Sequence, residues 1–337
     1  MNLFPIFVRQ GKSKSRFKVG YITRDGQVAI DPVFDGGTRF YEGLAAVAVQ
    51  GRWGIIDASG NFLIQPKLWN WCRFRDGLAS LATRNGKWGV IDQEGNFVIQ
   101  AKYDYVGPFE EGFALFRVGE CEKARYGFLD KKGAELVPPA FHGARDFSEG
   151  LAAAKVGNLW GYIEPSGVFK ITPRFEGTRQ GPRRMEETRA GYFKKGLASV
   201  WSGRGYGFID TNGKFSIDGR FDEASSFHDD RALVQREKQY GFIDLSGSIA
   251  IDTRFAYASD FSEGLAAVRE KESRLGFIPP CGFIDTEANM ALEPLFYSAE
   301  SFHNDLCLVT TEDSIGYINK SGRFVWKGPY VDYGVLC

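Results

Sequence analysis

A 15-residue segment, GKWGVIDQEGNFVIQ at residues 86–100, recurs in altered form along the chain and constrains its fold more than any other feature. Aromatic and β-branched residues, which favour strands, lie on both sides of the tetrapeptide DQEG at residues 92–95. Asp92 can accept hydrogen bonds from backbone N–H groups of a turn, and Gly95 can adopt a positive φ. The segment therefore predicts a β-hairpin closed by a tight turn.

The underlying pattern, aromatic-Gly-aliphatic-Ile-Asp-x-x-Gly, occurs nine times at intervals of about 34 residues or slightly more. Repeats of this length indicate a repeat architecture rather than several unrelated domains. We expect residues 1–337 to form a single array with atypical capping repeats at both ends. The first glycines of the nine copies are Gly20, Gly54, Gly89, Gly127, Gly161, Gly207, Gly241, Gly282 and Gly316.

Two further patterns recur in each repeat. The pattern F-x-x-G-L-A-x-V, as at Phe261, precedes the hairpin and predicts an additional strand. Asp230 and Asp305 replace its glycine in two copies, which indicates a left-handed turn position. The pattern apolar-x-Pro-x-aromatic, as at 30–34, marks the end of the third strand. Close backbone approach between neighbouring repeats is expected from the small Gly and Ala columns.

A spacer of about seven residues completes each repeat, and we expect it to form one helical turn. In the spacer FDEASSF, Phe221, Ala224 and Phe227 have helical spacing. Three strands per repeat, degenerate terminal copies and more copies than the usual four to eight or so blades favour an open solenoid or superhelix. The alternative is a β-propeller. The fold class is all-β in either case.

Composition limits the possible functions. The 337 residues contain 42 Lys+Arg and 42 Asp+Glu, so the chain has no bulk charge for nucleic acid or anionic membranes, and we expect neither as a partner. No signal peptide or membrane span is recognisable. The five cysteines are scattered without CxxC spacing, which is typical of reduced thiols in a cytoplasmic protein. We expect a monomer.

The segments GRWGIIDASG, GKWGVIDQEG, NLWGYIEPSG, RGYGFIDTNG and KQYGFIDLSG resemble the WG-containing repeat family of bacterial proteins. The resemblance covers nearly the whole chain. It implies a β-rich scaffold that binds other macromolecules, and it implies no catalytic residues. The chain departs from the family pattern at Ala288, which replaces the turn glycine, and at Asn319, which replaces the turn aspartate.

The recurring acids suggest turns rather than chemistry. Each is followed three residues later by a turn glycine, or by Ala288 in one copy, and none has a second acid at calcium-ligand spacing. His142, His228 and His303 form no metal or triad pattern. We therefore expect no catalytic residue, metal or cofactor, and no enzymatic activity. The recurring acids are Asp57, Asp92, Asp130, Glu164, Asp210, Asp244 and Asp285.

Candidate partner-binding residues emerge when equivalent positions of the repeats are compared. Trp69 and Tyr297 lie in a column that is otherwise mostly acidic, and Trp201 lies in a mostly small or polar column, so all three are expected to be exposed. Trp71 lies in a column of small residues and is interpreted as core. The insertion at 176–195 contains Arg179, Arg183 and Arg184, which suit a solvated loop or, alternatively, weak anion contact.

The function that these features favour is a non-enzymatic repeat scaffold for protein–protein interaction, in an adaptor, inhibitor or immunity-type role. The alternative is a carbohydrate- or small-ligand-binding β-repeat module that uses exposed aromatic residues. An enzyme of unrecognised class is the third hypothesis. The identity of the protein partner is not encoded in any motif of the chain.

Overall fold

The computed structural model describes residues 3–9, 17–176, 190–271 and 279–329. These residues form nine sheets of three or four strands, in which strands follow one another in chain order and pair antiparallel. The one helix among them is a single 3-10 turn at Cys121–Lys123. The all-β prediction is confirmed for this part of the chain.

Contacts divide the described residues into two compact units. The first unit contains the residues up to Ala140 and those from Val325 onward. The first four sheets along the chain are β1 Phe4–Arg9, β2 Phe17–Ile22 and β3 Val28–Phe34; β4 Gly36–Gly37, β5 Leu44–Val49, β6 Arg52–Asp57 and β7 Phe62–Leu68; β8 Phe74–Arg75, β9 Leu78–Ala82, β10 Trp88–Ile91 and β11 Phe97–Tyr103; and β12 Tyr105–Glu110, β13 Phe113–Val118, β14 Arg125–Asp130 and β15 Glu135–Phe141.

The second unit contains the residues from Phe141 to Phe324. The sheets that follow β15 are β16 Gly143–Ala144, β17 Ala152–Val156, β18 Leu159–Ile163 and β19 Phe169–Glu176; β20 Ala198–Trp201, β21 Tyr206–Ile209 and β22 Phe215–Phe221; β23 Glu223–His228, β24 Arg231–Arg236, β25 Gln239–Ile243 and β26 Ile249–Phe255; β27 Tyr257–Ala258, β28 Leu265–Arg269, β29 Cys281–Asp285 and β30 Met290–Phe296; and β31 Ser298–Ala299, β32 Leu306–Thr310, β33 Ser314–Asn319 and β34 Phe324–Pro329. Whether the chain forms one array with capping repeats stays a prediction.

The hairpin between β10 and β11 has the predicted turn. The Asp92 carboxylate accepts hydrogen bonds from the backbone N–H groups of Glu94 at 3.1 Å and Asn96 at 2.8 Å. Gly95 has a φ of +84°. The two departures from the family pattern keep this geometry, because Ala288 has a φ of +68° and the Asn319 Oδ1 accepts two backbone N–H groups. The left-handed positions at Asp230 and Asp305 are likewise confirmed.

The glycine of the WG pair is required inside its own sheet. A Cβ atom on Gly89 would lie 2.5 Å from the backbone oxygen of Ile99 and 2.8 Å from the backbone nitrogen of Ala101. The pairing of β10 with β11 shifts register on both sides of Val90, which brings the two backbones together. The expected close approach between repeats is therefore wrong for this glycine, because the approach is within a repeat.

The spacer forms a fourth strand, not a helical turn. In β23, Ala224 pairs with Val234 and Phe227 pairs with Ala232, with a register shift between them. This bulge places residues three apart on one side of the strand, so their spacing imitates a helix. The expectation of three strands per repeat is therefore wrong for the seven four-stranded sheets of the described residues, and four is the number of strands in a β-propeller blade.

Each hydrophobic core lies between consecutive sheets, as expected for repeats that cannot bury both faces alone. One cluster combines Val90 and Ile99 from β10 and β11 with Phe109, Phe116 and Leu129 from the next sheet. All five side chains are at most 5% exposed. Removal of a repeat would therefore expose apolar surface on its neighbours.

The first repeat meets the final strand of the last repeat, β34, within the first unit. A Cβ atom built on the turn glycine Gly95 would lie 3.2 Å from Ile64 on the last strand of the preceding repeat, and one built on Gly60 would lie 3.5 Å from Ile30 in the same way. Gly26, the equivalent glycine of the first repeat, lies against the backbone of Val325 in β34. An open array keeps its end repeats apart, so this contact contradicts the favoured open solenoid or superhelix and agrees with the alternative, a β-propeller.

Candidate partner-binding site

The residue that directly follows the last strand of a repeat holds the next turn in place. Asp35, after β3, accepts hydrogen bonds from Lys18 Nζ at 2.6 Å and from the backbone N–H of Gln50 at 2.7 Å. The Lys18 ammonium, followed by the Gln50 N–H, lowers the pKa of the Asp35 carboxyl. At this position the first repeat therefore has an ion pair, in which the charge of Lys18 is neutralised by Asp35.

Asp104, after β11, repeats the arrangement of Asp35. Its carboxylate accepts a hydrogen bond from Lys87 Nζ at 2.6 Å and another from the backbone N–H of Gly119 at 2.7 Å. These groups lower the pKa of the Asp104 carboxyl, with Lys87 as the largest cause. The partly buried carboxylate is thus a structural acceptor in two of the first three repeats.

Trp69 occupies this position in the repeat between them and changes its chemistry. Arg52 precedes Trp69 by the same number of residues as Lys18 precedes Asp35. Without a carboxylate to pair with, the Arg52 guanidinium lies over the Trp69 ring, with its central carbon 3.1 Å from the ring centroid. The indole is 45% exposed, so the predicted exposure of Trp69 is confirmed, while its role in binding stays a prediction.

A second arginine lies against the same ring. The guanidinium carbon of Arg84 is 4.9 Å from the Trp69 ring centroid. Arg84 stands in the turn between β9 and β10, which closes through the Thr83 N–H to Lys87 carbonyl hydrogen bond at 2.8 Å. The Thr83 hydroxyl also donates to Asn85 Oδ1 at 2.5 Å. This turn needs no external carboxylate, and that explains why a tryptophan is accommodated after β7.

The two arginines are uncompensated. Within the described part of the chain, neither the Arg52 nor the Arg84 side chain makes a hydrogen bond or an ion pair. A guanidinium that stacks on an aromatic ring uses its face and leaves its in-plane N–H donors available. We refer to Arg52, Trp69 and Arg84 as the Trp69 site. It carries two positive charges without an acidic partner among the described residues, whereas Lys18 and Lys87, at the position of Arg52 in the adjacent repeats, form ion pairs.

Trp71 is 37% exposed, so its interpretation as core is wrong. Cys72 and Phe74 supply the buried side chains of this segment instead. The equivalent Gly37 shows how little space the column offers, because a Cβ there would lie 2.6 Å from the Tyr21 hydroxyl and 2.7 Å from Val19. Small residues recur in this column because the space beside the backbone is limited. The large indole of Trp71 does not fit into that space and is partly exposed to solvent.

The remaining sequence candidates belong to the second unit or lie outside the described residues. Tyr297 is 57% exposed, and its backbone carbonyl accepts a hydrogen bond from Arg269 at 2.7 Å. Trp201 in β20 is half-buried and packs edge-on against Tyr206 with ring centroids 5.4 Å apart, so its expected exposure is only partial. Trp201 and Tyr297 belong to the second unit. Arg179, Arg183 and Arg184 lie outside the described residues.

Metal-ligating side chains are not clustered in the part of the chain that the structure describes, and absence of enzymatic activity stays a prediction. No group of three or more His, Cys, Asp or Glu residues in residues 3–9, 17–176, 190–271 and 279–329 is arranged to hold a metal ion. The His142 Nδ1 accepts a backbone hydrogen bond from Gly157 at 3.2 Å. In the same ranges, no helix has the length and apolar character needed to cross a bilayer.

Arg52 and Arg84 were missed by the sequence analysis. The signal for Arg52 is present in the repeats themselves, because Lys18 and Lys87 occupy its position and have an acid partner downstream. A basic residue that is kept while its acid becomes tryptophan predicts a cation–π contact. Arg84 has no such signal, because its turn is one residue longer than the equivalent turn at 50–51.

Comparisons with known proteins agree with the repeat pattern. A family model described as WG containing repeat matches residues 20–53, 53–88, 88–120, 126–160, 206–239, 240–272 and 282–313. No curated protein matches the chain significantly. Similar solved structures include the computationally designed Ika8 protein, with 10% identity, a TM-score of 0.44, and coverage of 84% of this chain and 92% of that chain. BamB from Moraxella catarrhalis has 11% identity, a TM-score of 0.48, and coverage of 77% of this chain and 87% of that chain. Dihydro-heme d1 dehydrogenase NirN in complex with DHE has 13% identity, a TM-score of 0.46, and coverage of 87% of this chain and 75% of that chain.

Proposed function

Since this chain belongs to the WG containing repeat family, we propose that it is a non-enzymatic scaffold that binds a protein partner. The observation that carries this proposal is the exposed Trp69, contacted by both Arg52 and Arg84, in a column where adjacent repeats have a paired carboxylate. Tryptophan and arginine are the residues most enriched in interface hot spots. At this one repeat a tryptophan replaces the structural carboxylate, and the turn between β9 and β10 is still closed by its own hydrogen bonds. Such a replacement is what selection for a binding surface would produce.

The geometry of the Trp69 site favours a protein over a carbohydrate. A sugar ring that stacks on an aromatic side chain needs an open ring face. Arg52 lies over the Trp69 ring at 3.1 Å and covers one face. The rest of the Trp69 side chain is 45% exposed, and the guanidinium N–H donors have no acceptor among the described residues, which suits polar and apolar side chains of a protein segment.

We also infer that the repeats are blades of a closed β-propeller. Four-stranded sheets and the contact between Gly26 and Val325 support closure. We propose a cytoplasmic location, because the four cysteines in the described residues, Cys72, Cys121, Cys281 and Cys307, are free thiols. A monomeric state stays a prediction. Such a ring presents side chains that differ from blade to blade on a common framework.

The proposal is tested by affinity capture from a lysate of the source organism, followed by binding measurements with each purified partner. Trp69→Ala should abolish or strongly reduce binding of the partner. Leu295→Ala is the matched control, since Leu295 is 70% exposed and lies in the second unit, and it should leave binding unchanged. If the wild-type protein retains no protein, and a glycan array shows specific binding, the scaffold proposal is wrong and the carbohydrate hypothesis replaces it.

A further inference from the structure

We propose that Arg52, Trp69 and Arg84 form a receptor for an acidic, extended segment of a partner protein. This inference rests on the proposed scaffold function and names the chemistry that the site recognises. The two guanidinium groups supply the charge, and the exposed part of the Trp69 side chain supplies apolar contact. The adjacent repeats have no equivalent site, because Lys18 and Lys87 are neutralised by Asp35 and Asp104 at 2.6 Å.

The orientation of the arginines is already set before a ligand binds. The Arg52 guanidinium is fixed over the ring, with its carbon 3.1 Å from the ring centroid, and its N–H donors have no acceptor among the described residues. A carboxylate can accept two parallel hydrogen bonds from the plane of such a group. Because the stacked side chain is already ordered, less conformational entropy is lost when the carboxylate binds.

The spacing of the two arginines indicates an extended segment. Both guanidinium carbons lie within 4.9 Å of the same ring centroid, so the carboxylates that they bind are close neighbours. In an extended chain, alternate residues point to the same side and are separated by about 6.6 Å. Acidic residues at positions i and i+2 of the partner therefore fit the two arginines, and the residue between them faces away.

The surroundings favour an acidic peptide over a nucleic acid. Nucleic-acid binding depends on a track of cations that follows many phosphates. Here the cations on either side of the Trp69 site, Lys18 and Lys87, are already paired with carboxylates. The chain as a whole has equal numbers of basic and acidic residues, 42 of each. A two-arginine site is matched by two carboxylates of a protein segment.

The test uses the full-length chain and a fluorescein-labelled peptide of alternating Glu and Ser, with binding followed by fluorescence anisotropy. The matched peptide contains Gln in place of Glu. The double variant Arg52→Gln, Arg84→Gln should weaken binding of the acidic peptide by about tenfold or more. Trp69→Asp should also weaken it, because the new carboxylate would pair with Arg52 as Asp35 pairs with Lys18.

Lys18→Gln is the control variant, since it removes one positive charge from the equivalent position of the first repeat. It should change the peptide affinity by no more than about twofold. Thermal unfolding of every variant, compared with the wild type, separates loss of binding from loss of folding. Affinity should fall between about 0.05 and 0.15 M salt, because the recognised groups are charged.

Several results would overturn the inference: no binding of the acidic peptide up to about 1 mM, equal binding of the Gln peptide, or full binding by the folded double variant. Tighter binding of a single-stranded oligonucleotide than of the peptide would assign the site to nucleic acid. If the double variant still binds a captured protein partner, this inference fails and the scaffold function stands. If the acidic peptide binds as expected but no protein partner is captured, the scaffold function fails instead.

Discussion

Gly95 lies directly against Ile64 of the preceding repeat, and a Cβ atom built on Gly95 would lie 3.2 Å from the Ile64 Cδ1 atom. Gly95 also has a φ of +84°, so a side chain at this position is disfavoured for two independent reasons. The turn thus combines a backbone requirement, the positive φ, with a packing requirement, the close approach to Ile64. Mutations can separate the energetic cost of backbone strain from that of lost packing.

Gly95→Val should destabilise the protein more than Gly86→Val. Gly86 has a φ of +80° but nothing within 4 Å of its Cβ position, so valine there imposes only the backbone strain, of about 1–3 kcal/mol. At Gly95 the same strain is joined by displacement of Ile64. Urea unfolding of both variants measures the difference. Equal losses of stability would show that the contact with Ile64 contributes nothing.

Gly26→Val tests whether the first repeat meets the last. Gly26 has a φ of +87° and lies against the backbone of Val325, so valine there should destabilise the protein at least as much as Gly95→Val. In an open array Gly26 would face solvent, and its substitution would resemble Gly86→Val. A loss of stability no larger than that of Gly86→Val, in the same urea experiment, would therefore favour the open array.

The hairpins were predictable from sequence because their determinants are local. Asp92 and Gly95 are three residues apart, and the chemistry of a single turn specifies both. The fourth strand was not predictable in this way. Phe227 and Ala224 have the same spacing in a helical turn and in a bulged strand, and only the pairing with β24 distinguishes them. Closure depends on a contact between the two ends of the described chain, for which no local motif exists.

The candidate site was predictable in part. Comparison of equivalent positions across repeats identified Trp69 as exposed, because a residue type that departs from an acidic column is visible in sequence. The same comparison failed for Trp71, since a column of small residues marks limited space rather than a buried environment for any side chain. The contact of Arg84 with the Trp69 ring depends on side-chain direction, which the repeat pattern does not specify, whereas the contact of Arg52 has a signal in the equivalent positions of Lys18 and Lys87.

Glu263→Ala should weaken the connection between two neighbouring repeats. The Glu263 carboxylate accepts hydrogen bonds from the backbone N–H groups of Asn304 at 2.6 Å and Asp305 at 2.9 Å, and it lies 3.2 Å from Lys320 Nζ. Because the side chain is partly exposed, we expect a loss of about 1 kcal/mol rather than the larger values of buried charged hydrogen bonds.

The control for Glu263→Ala is Glu287→Ala. The Glu287 side chain is exposed and makes no hydrogen bond or ion pair with the residues that the structure describes. Urea unfolding should show almost no change for this variant. If both substitutions lower stability equally, the effect is one of net charge, and the carboxylate does not connect the repeats.

Stability should fall when the turn aspartates are protonated. The backbone N–H of Asn96 lowers the pKa of the Asp92 carboxyl, and that of Asn61 lowers the pKa of Asp57. A lowered folded-state pKa gives stability that is complete above the unfolded value of about 3.9 and is lost as pH falls through the folded value. The melting temperature should therefore be nearly constant from about pH 7 to 5 and decrease below about pH 4.

Asp92→Asn should reduce the acid sensitivity without removing the turn. The last repeat provides the precedent, because Asn319 Oδ1 accepts the N–H groups of Ser321 and Arg323, each at 3.1 Å. The reverse substitution, Asn319→Asp, should increase the loss of stability at low pH. Melting temperatures of both variants at about pH 3.5 and 7 provide the comparison. Parallel profiles for both variants and the wild type would exclude these carboxylates as the cause.

The reactivity of Cys72 reports on the segment that positions the Trp69 site. Burial raises the pKa of the Cys72 thiol to about 12, whereas Cys121 is exposed. Since the thiolate is the reactive form, only about one Cys72 in ten thousand is reactive at pH 8, and the side chain is also inaccessible. In a Cys337→Ser background, maleimide should label Cys121 rapidly and Cys72 only after denaturation. Rapid labelling of Cys72 in the native protein would show that residues 69–74 do not pack as described, and the arrangement of Arg52, Trp69 and Arg84 would have to be abandoned with it.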